Sequence, residues 1–168
     1  MISTVRRLSD GANRAAELLL VPLVAFFTLV LVVSVGSRYL FQLPIVTSIE
    51  LTRIAFVWAA FLGASVGVKR GVHVRVVALV SAAPPAFQRL APAVVHGSIL
   101  VFATLMAWHG WALTQRMFVT TFPTLGISQG WLYLSVPVTG ALMALHAVSA
   151  LLGREPVGNE PEPEGASL

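Results

Sequence analysis

"LLLVPLVAFFTLVLVVSVGS", Leu18 to Ser37, carries no charged residue. As a helix rising about 1.5 Å per residue it reaches about 30 Å, the thickness of a bilayer's hydrocarbon core. That length sets the class of protein, and the whole chain agrees with it. Of 168 residues, 57% are hydrophobic and 11% charged, and the mean hydropathy is +0.83, outside the usual balance of a soluble domain. Arg6, Arg7 and Arg14 ahead of the run give it some look of a secretory signal. The run is long for a signal's apolar region and no small-x-small site clearly follows it, so the segment is expected to stay. Cysteine is absent, which excludes disulfide staples, thiolate metal sites and thiol-redox chemistry. A sequence pI near 10.7 would suit nucleic acid. The cations, however, sit in short segments beside apolar runs, where they set membrane orientation instead, so no nucleic-acid partner is expected.

Working outward, a second charge-free run from Ile54 to Val68 covers only about 22 Å, too little to cross alone. Extended back to about Val46 it reaches roughly 34 Å and takes in Glu50 and Arg53 at headgroup depth. Three residues apart on one helix face, they can pair with each other, and Glu50 suits a helix N-terminus. A third run lies between Arg89 and Arg116. "FPTLGISQG", Phe122 to Gly130, then supplies turn formers before a fourth run that starts near Trp131. Between the second and third runs, Val72, Val76, Leu79, Val80 and Ala83 form one helical stripe ahead of Pro84 and Pro85. The expected fold is an all-α integral membrane protein with four transmembrane helices and a short interfacial amphipathic helix between the second and third. The spans fall at about 18–37, 46–68, 90–115 and 131–152, with the interfacial helix at about 72–83. Residues 1–17 form a basic cytoplasmic segment, and 153–168 a Pro/Glu-rich tail expected to be disordered. With both ends on one side, that side holds eight of the eleven Lys and Arg, Arg38, Arg53 and Arg116 lying opposite. The positive-inside rule then puts both termini in the cytoplasm.

The chemistry that is missing is as informative. Mid-depth polar groups are hydroxyls such as Thr28, Ser34, Ser65, Ser98, Thr104 and Thr139, which in membranes usually bond neighbouring backbone or glue helices. Pro22 and Pro137 are placed to kink their helices, and Pro92 is expected in a first turn. Of the histidines, His96 and His109 point about 140° apart around one helix, and His146 is expected at the opposite depth to His109. A bis-histidine haem needs matched depth, so no haem, metal or other cofactor is expected, and no catalytic or substrate-binding residue. The rival from another class is a haem- or quinone-associated anchor subunit of an oxidoreductase, which a Soret band would reveal. Packing is what the helices advertise. Ala55, Ala59, Gly63 and Gly67 recur every four residues, and Gly140 and Ala144 repeat the idea on the fourth helix. Tyr39, Trp58, Trp108, Trp111, Trp131 and Tyr133 suit aromatic belts.

"SRYLFQLP" (Ser37 to Pro44), Glu50 and Arg53, and "WAAFLGASVGVKRGVHV" (Trp58 to Val74) occur in that order, followed by "TLGISQGWLYLSVPVTGALMALH" (Thr124 to His146). This succession resembles the small membrane subunit, DctQ type, of tripartite ATP-independent periplasmic (TRAP) transporters. Where that family often shows Trp-x-Glu-Glu, this chain has Thr47, Ser48, Ile49 and Glu50, so the aromatic and the first acid are absent and Glu50 is the acid that carries over. The resemblance implies a multi-pass subunit of the bacterial inner membrane that braces a large DctM-type permease subunit. In such a system the uptake of an organic acid is secondary and cation (Na+) coupled, and a periplasmic solute-binding protein delivers the acid. On this view Arg38, Tyr39, Pro44, Glu50, Arg53, Trp58, Arg70 and His73 are candidate contacts with partners or lipid headgroups. Ala59, Gly63, Gly67, Gly140 and Ala144 are candidate packing positions.

Overall fold

The computed structural model describes residues 2–70 and 85–153, with the backbone alone at residue 2 and residues 85–89. The expected interfacial helix, His73 and the tail beyond Gly153 lie outside the described residues. The elements are α1 (Ile2–Leu40), α2 (Thr47–Lys69), α3 (Pro85–Met117), α4 (Gly130–Tyr133) and α5 (Ser135–Gly153). Four helices are long and apolar enough to cross a membrane: Ser3–Leu40, Thr47–Lys69, Leu90–Met117, and Gly130–Gly153, which joins α4 to α5.

Prolines mark where these helices depart from the simplest reading. Pro137 has no N–H to offer the Tyr133 carbonyl, and the helix is interrupted at Leu134 between α4 and α5. Pro92 is a correction. Helix α3 begins at Pro85, so Pro92 lies inside the helix rather than in its first turn. Pro85 itself occupies the start, where a missing N–H costs nothing. Helix α1 runs through Pro22 for 39 residues, about 58 Å. The basic segment ahead of Leu18 is therefore the opening turns of the first spanning helix.

Helices α1, α2 and α5 pack on one another, whereas α3 packs on α5 and α4. Among the described residues α3 meets neither α1 nor α2, so α5 is the shared strut. Ala16, Leu62 and Val66 form a small buried cluster where α1 meets α2, with Leu20, Leu23, Trp58 and Leu142 around it. Elsewhere the fully buried positions are small, Ala103, Thr114 and Thr139 among them, with Phe122, Leu132, Met143 and His146 the larger buried side chains, while Leu29, Phe102 and Leu105 face outward. Lipid tails are as apolar as leucine, so close backbone approach and dispersion hold such helices together rather than burial of large side chains.

Candidate functional site

The tightest approach to a neighbouring backbone lies between α3 and α5. A Cβ built on Gly140 would come within 2.7 Å of the Ala107 nitrogen and 2.9 Å of the Ala103 carbonyl oxygen. One turn away, a Cβ on Gly110 would lie 2.7 Å from the Val136 side chain and 3.1 Å from the Pro137 ring. At Gly63 the nearest atom would be Leu20 Cδ2 at 3.8 Å, an ordinary contact. Ala59 is buried, Gly63, Gly67 and Ala144 are half-buried and Gly140 is buried. Ala103, Ala107, Gly110 and Thr114 complete the close seam, with the Thr114 hydroxyl donating to the Gly110 carbonyl at 2.7 Å. Their 4-3-4 spacing is a helical face that the sequence does carry, masked by the large residues between them.

At the end of the bundle that holds the α1–α2 and α3–α4 connections, Glu50 does not pair with Arg53. Its carboxylate accepts the backbone N–H of Thr124 at 3.2 Å and of Leu125 at 2.8 Å. Those amides face Glu50 because the connection closes on itself. The Phe122 N–H donates to the Ile127 carbonyl at 2.8 Å, that of Gly126 to Phe122 at 2.9 Å, and Thr121 bridges Ser128. Gly126 supplies the left-handed turn with φ 67°. Successive N–H groups converging on one anion form a nest, and the acid at the start of α2 fills it. Trp58 adds a second tie, its Nε1–H donating to the Trp131 carbonyl at 2.9 Å. The Ser34 and Ser48 hydroxyls meet at 2.6 Å, joining α1 to α2. Arg38, Tyr39, Pro44 and Arg53 are all exposed, and among the described residues neither arginine makes an ion pair.

Ion pairs gather at the opposite end. Arg70 reaches Glu17 through Nη2 at 2.8 Å and Nε at 3.1 Å, and Asn13 donates to the same carboxylate oxygen at 2.8 Å. Lys69 pairs with Asp10 at 2.9 Å. His146 is buried on α5, its Nδ1 2.8 Å from the Ser9 hydroxyl of α1. These contacts clamp the first turns of α1 to the last turns of α2 and α5. Sequence reading picked out Arg70 but missed Ser9, Asp10, Asn13 and Glu17. The available signal was the pair Asp10 and Glu17, the only acids of α1, seven residues apart on one face. His96 bonds the carbonyl of Pro92 on its own helix and His109 is exposed. Among the described residues no three His, Cys, Asp or Glu are placed to hold a metal ion.

A chain that ties its own helices at both ends and turns apolar side chains outward between them has the character of a multi-pass membrane subunit. Residues 27–155 match the family described as tripartite ATP-independent periplasmic transporters, DctQ component, and the chain belongs to that family. It is 28% identical over 148 residues to a Haemophilus influenzae protein whose name places it among TRAP transporter small permease proteins, covering 88% of this chain and 92% of that one. It is 28% identical over 139 residues to the sialic acid TRAP transporter small permease protein SiaQ of Vibrio cholerae, 83% of this chain and 80% of that one. It is also 29% identical over 124 residues to the sialic acid TRAP transporter permease protein SiaT of Haemophilus influenzae, 72% of this chain but 20% of that longer polypeptide. The protein is the small permease subunit of a TRAP transporter, a multi-pass membrane protein of a bacterial transport system and not an enzyme.

Proposed function

We propose that this subunit braces a large DctM-type permease subunit in the inner membrane during cation (Na+) coupled uptake of an organic acid delivered by a periplasmic binding protein. The observation that carries the reading is where the polar chemistry sits. Hydrogen-bonded and ionic ties lie at the two ends of the bundle, while the middle is closed by Ala103, Ala107, Gly110 and Gly140 at backbone distance. A seam that close leaves no room for a solute between α3 and α5, which supports a solute path in another polypeptide. The longer SiaT relative supports the pairing, since a counterpart of this chain makes up only a fifth of that permease protein. SiaQ and SiaT are named for sialic acid, an organic acid, which supports that cargo class and names no particular member of it.

In this assembly both termini face the cytoplasm, with residues 1–17 before the membrane core and 153–168 after it, and the Glu50 end faces the periplasm. Arg38, Tyr39, Pro44, Arg53 and His73 set the depth of the brace against partners and headgroups, and Glu50, Trp58 and Arg70 support it through their ties inside the bundle. Co-expression of a tagged large subunit with and without this chain tests the proposal. The two co-purify, and uptake into proteoliposomes requires both together with the binding protein. Full uptake by the large subunit alone, or by this chain alone, would refute the reading. A green fluorescent protein fused after Leu168 should fluoresce in the cytoplasm, and a dark fusion would reverse the orientation.

A further inference from the structure

The connection between α1 and α2 is unusually apolar for a segment outside both helices. Within it Phe41 is 71% exposed, Leu43 67% and Val46 57%, and flanking it Tyr39 and Leu40 at the end of α1 are each 79% and Ile49 at the start of α2 is 71%. They are nearly consecutive residues, so they point to every side of the hairpin instead of forming one face. A protein partner covers one side, whereas a lipid layer surrounds all of them. The backbone is prepared for such a medium. Ser37 takes the N–H groups of both Phe41 and Leu43 on its carbonyl, each at 3.2 Å, and its hydroxyl donates to the Leu43 carbonyl at 2.6 Å. The Ser48 hydroxyl and N–H both donate to the Ile45 carbonyl, at 2.6 and 3.2 Å, and Pro44 has no N–H to satisfy. In a low-dielectric layer an unpaired peptide group costs several kcal/mol, so these bonds suit the apolar tip, while the N–H groups of Gln42, Ile45 and Val46, which donate to no protein acceptor among the described residues, keep it at the hydrated boundary rather than in the hydrocarbon.

Two cations flank this tip. Arg38 lies in the last turn of α1 and Arg53 on the exposed side of α2, about 9 Å along the helix from Thr47. Among the described residues both lack an ion pair, and the one acid at this end, Glu50, is held by the Thr124 and Leu125 amides. A long arginine at that depth extends toward the headgroup layer, where phosphate is the available anion. The connection from α3 to α4 at the same end is mixed: Thr120, Thr121, Thr124, Ser128 and Gln129 lie along it, with Val119 88% and Ile127 42% exposed.

We infer that the α1–α2 hairpin is a lipid anchor, immersed at the headgroup–acyl boundary of the leaflet with Arg38 and Arg53 binding phospholipid phosphate. This rests on the proposed brace and names the medium that holds one of its ends. The chain has no cysteine, so Phe41→Cys and, separately, Leu43→Cys each give a single site for an environment-sensitive NBD label. Thr124→Cys on the α3–α4 connection is the aqueous comparison. The labelled proteins are placed in phosphatidylethanolamine–phosphatidylglycerol nanodiscs, alone and with the large subunit. At both hairpin positions a nitroxide carried just below the lipid headgroup removes most of the emission, with or without the large subunit, and aqueous iodide does not. At Thr124→Cys the pattern inverts. Arg38→Gln combined with Arg53→Gln loses the phosphatidylglycerol that the wild-type protein retains in native mass spectra. Quenching by iodide at the hairpin would overturn the inference, as would lipid quenching that disappears when the large subunit binds, the signature of a protein partner. Unchanged lipid retention in the double variant would overturn the phosphate contacts. Co-purification is scored in the same samples, so a failure of the brace itself is read separately from the label.

Discussion

Replacing Gly140 by alanine tests whether the α3–α5 crossing, rather than the glycine stripe of α2, governs the stability of this bundle. The new Cβ would lie 2.7 Å from the Ala107 nitrogen, 2.9 Å from the Ala103 carbonyl oxygen and 3.0 Å from the Ala107 Cα. All three are backbone atoms, so no side chain can rotate away, and α3 must retreat by roughly 0.7 Å to restore ordinary contact. Overpacking of this kind costs about 1–3 kcal/mol, against about 1 kcal/mol gained from alanine's helix propensity. The net expectation is a loss of about 0–2 kcal/mol for Gly140→Ala, and a larger one for Gly140→Val. Gly63→Ala is the control. Its Cβ would meet only Leu20 Cδ2 at 3.8 Å, so propensity dominates and the variant is neutral or gains up to about 1 kcal/mol. Unfolding in mixed micelles with rising sodium dodecyl sulfate, followed by far-ultraviolet circular dichroism, compares the two directly. If Gly63→Ala proves the more damaging substitution, or Gly140→Val is as stable as the wild type, the close-seam reasoning is wrong.

At the other contacts the expected outcomes are as specific. Glu50→Ala removes the acceptor for two loop amides, so hydrogen exchange at Thr124 and Leu125 accelerates while that of α3 is unchanged; Glu50→Gln, which keeps one acceptor oxygen, falls between. Equal exchange in all three proteins would remove the nest. His146→Ala opens a buried site and leaves Ser9 without its partner, lowering stability by about 2–4 kcal/mol. Combined with Ser9→Ala in a double-mutant cycle, it should give a coupling of about 0.5–1.5 kcal/mol, and strict additivity would mean that the bond contributes nothing. Asp10→Lys places a cation against Lys69, so the first turns of α1 become more sensitive to protease while the Thr124 amide keeps its exchange rate. Unaltered cleavage would argue against the clamp.

The charge-free runs made the spans legible because the bilayer imposes a length and forbids charge, and both constraints are written residue by residue. The helix that begins at Thr47 follows closely from extending a short apolar run back to Val46. The site was legible only in part. Glu50 stood out as an acid at the mouth of a span, yet its partners are backbone amides some 75 positions away, and every residue carries an amide, so no side-chain pattern announces them. The same limit hid Ser9 from His146. Pro92 was misplaced because a proline that starts a helix and one inside it read alike until the first turn is located.

The sequence by itself determined that this chain carries four runs long and apolar enough to cross a membrane, in what order, and to which family it belongs. Hydropathy acts locally, and the family motifs are contiguous stretches. Only the tertiary structure decided which glycine is pressed against a neighbouring backbone, which acid is held by a loop and which arginines are left facing outward. Those outcomes depend on distances between helices, which are set when all of them pack at once.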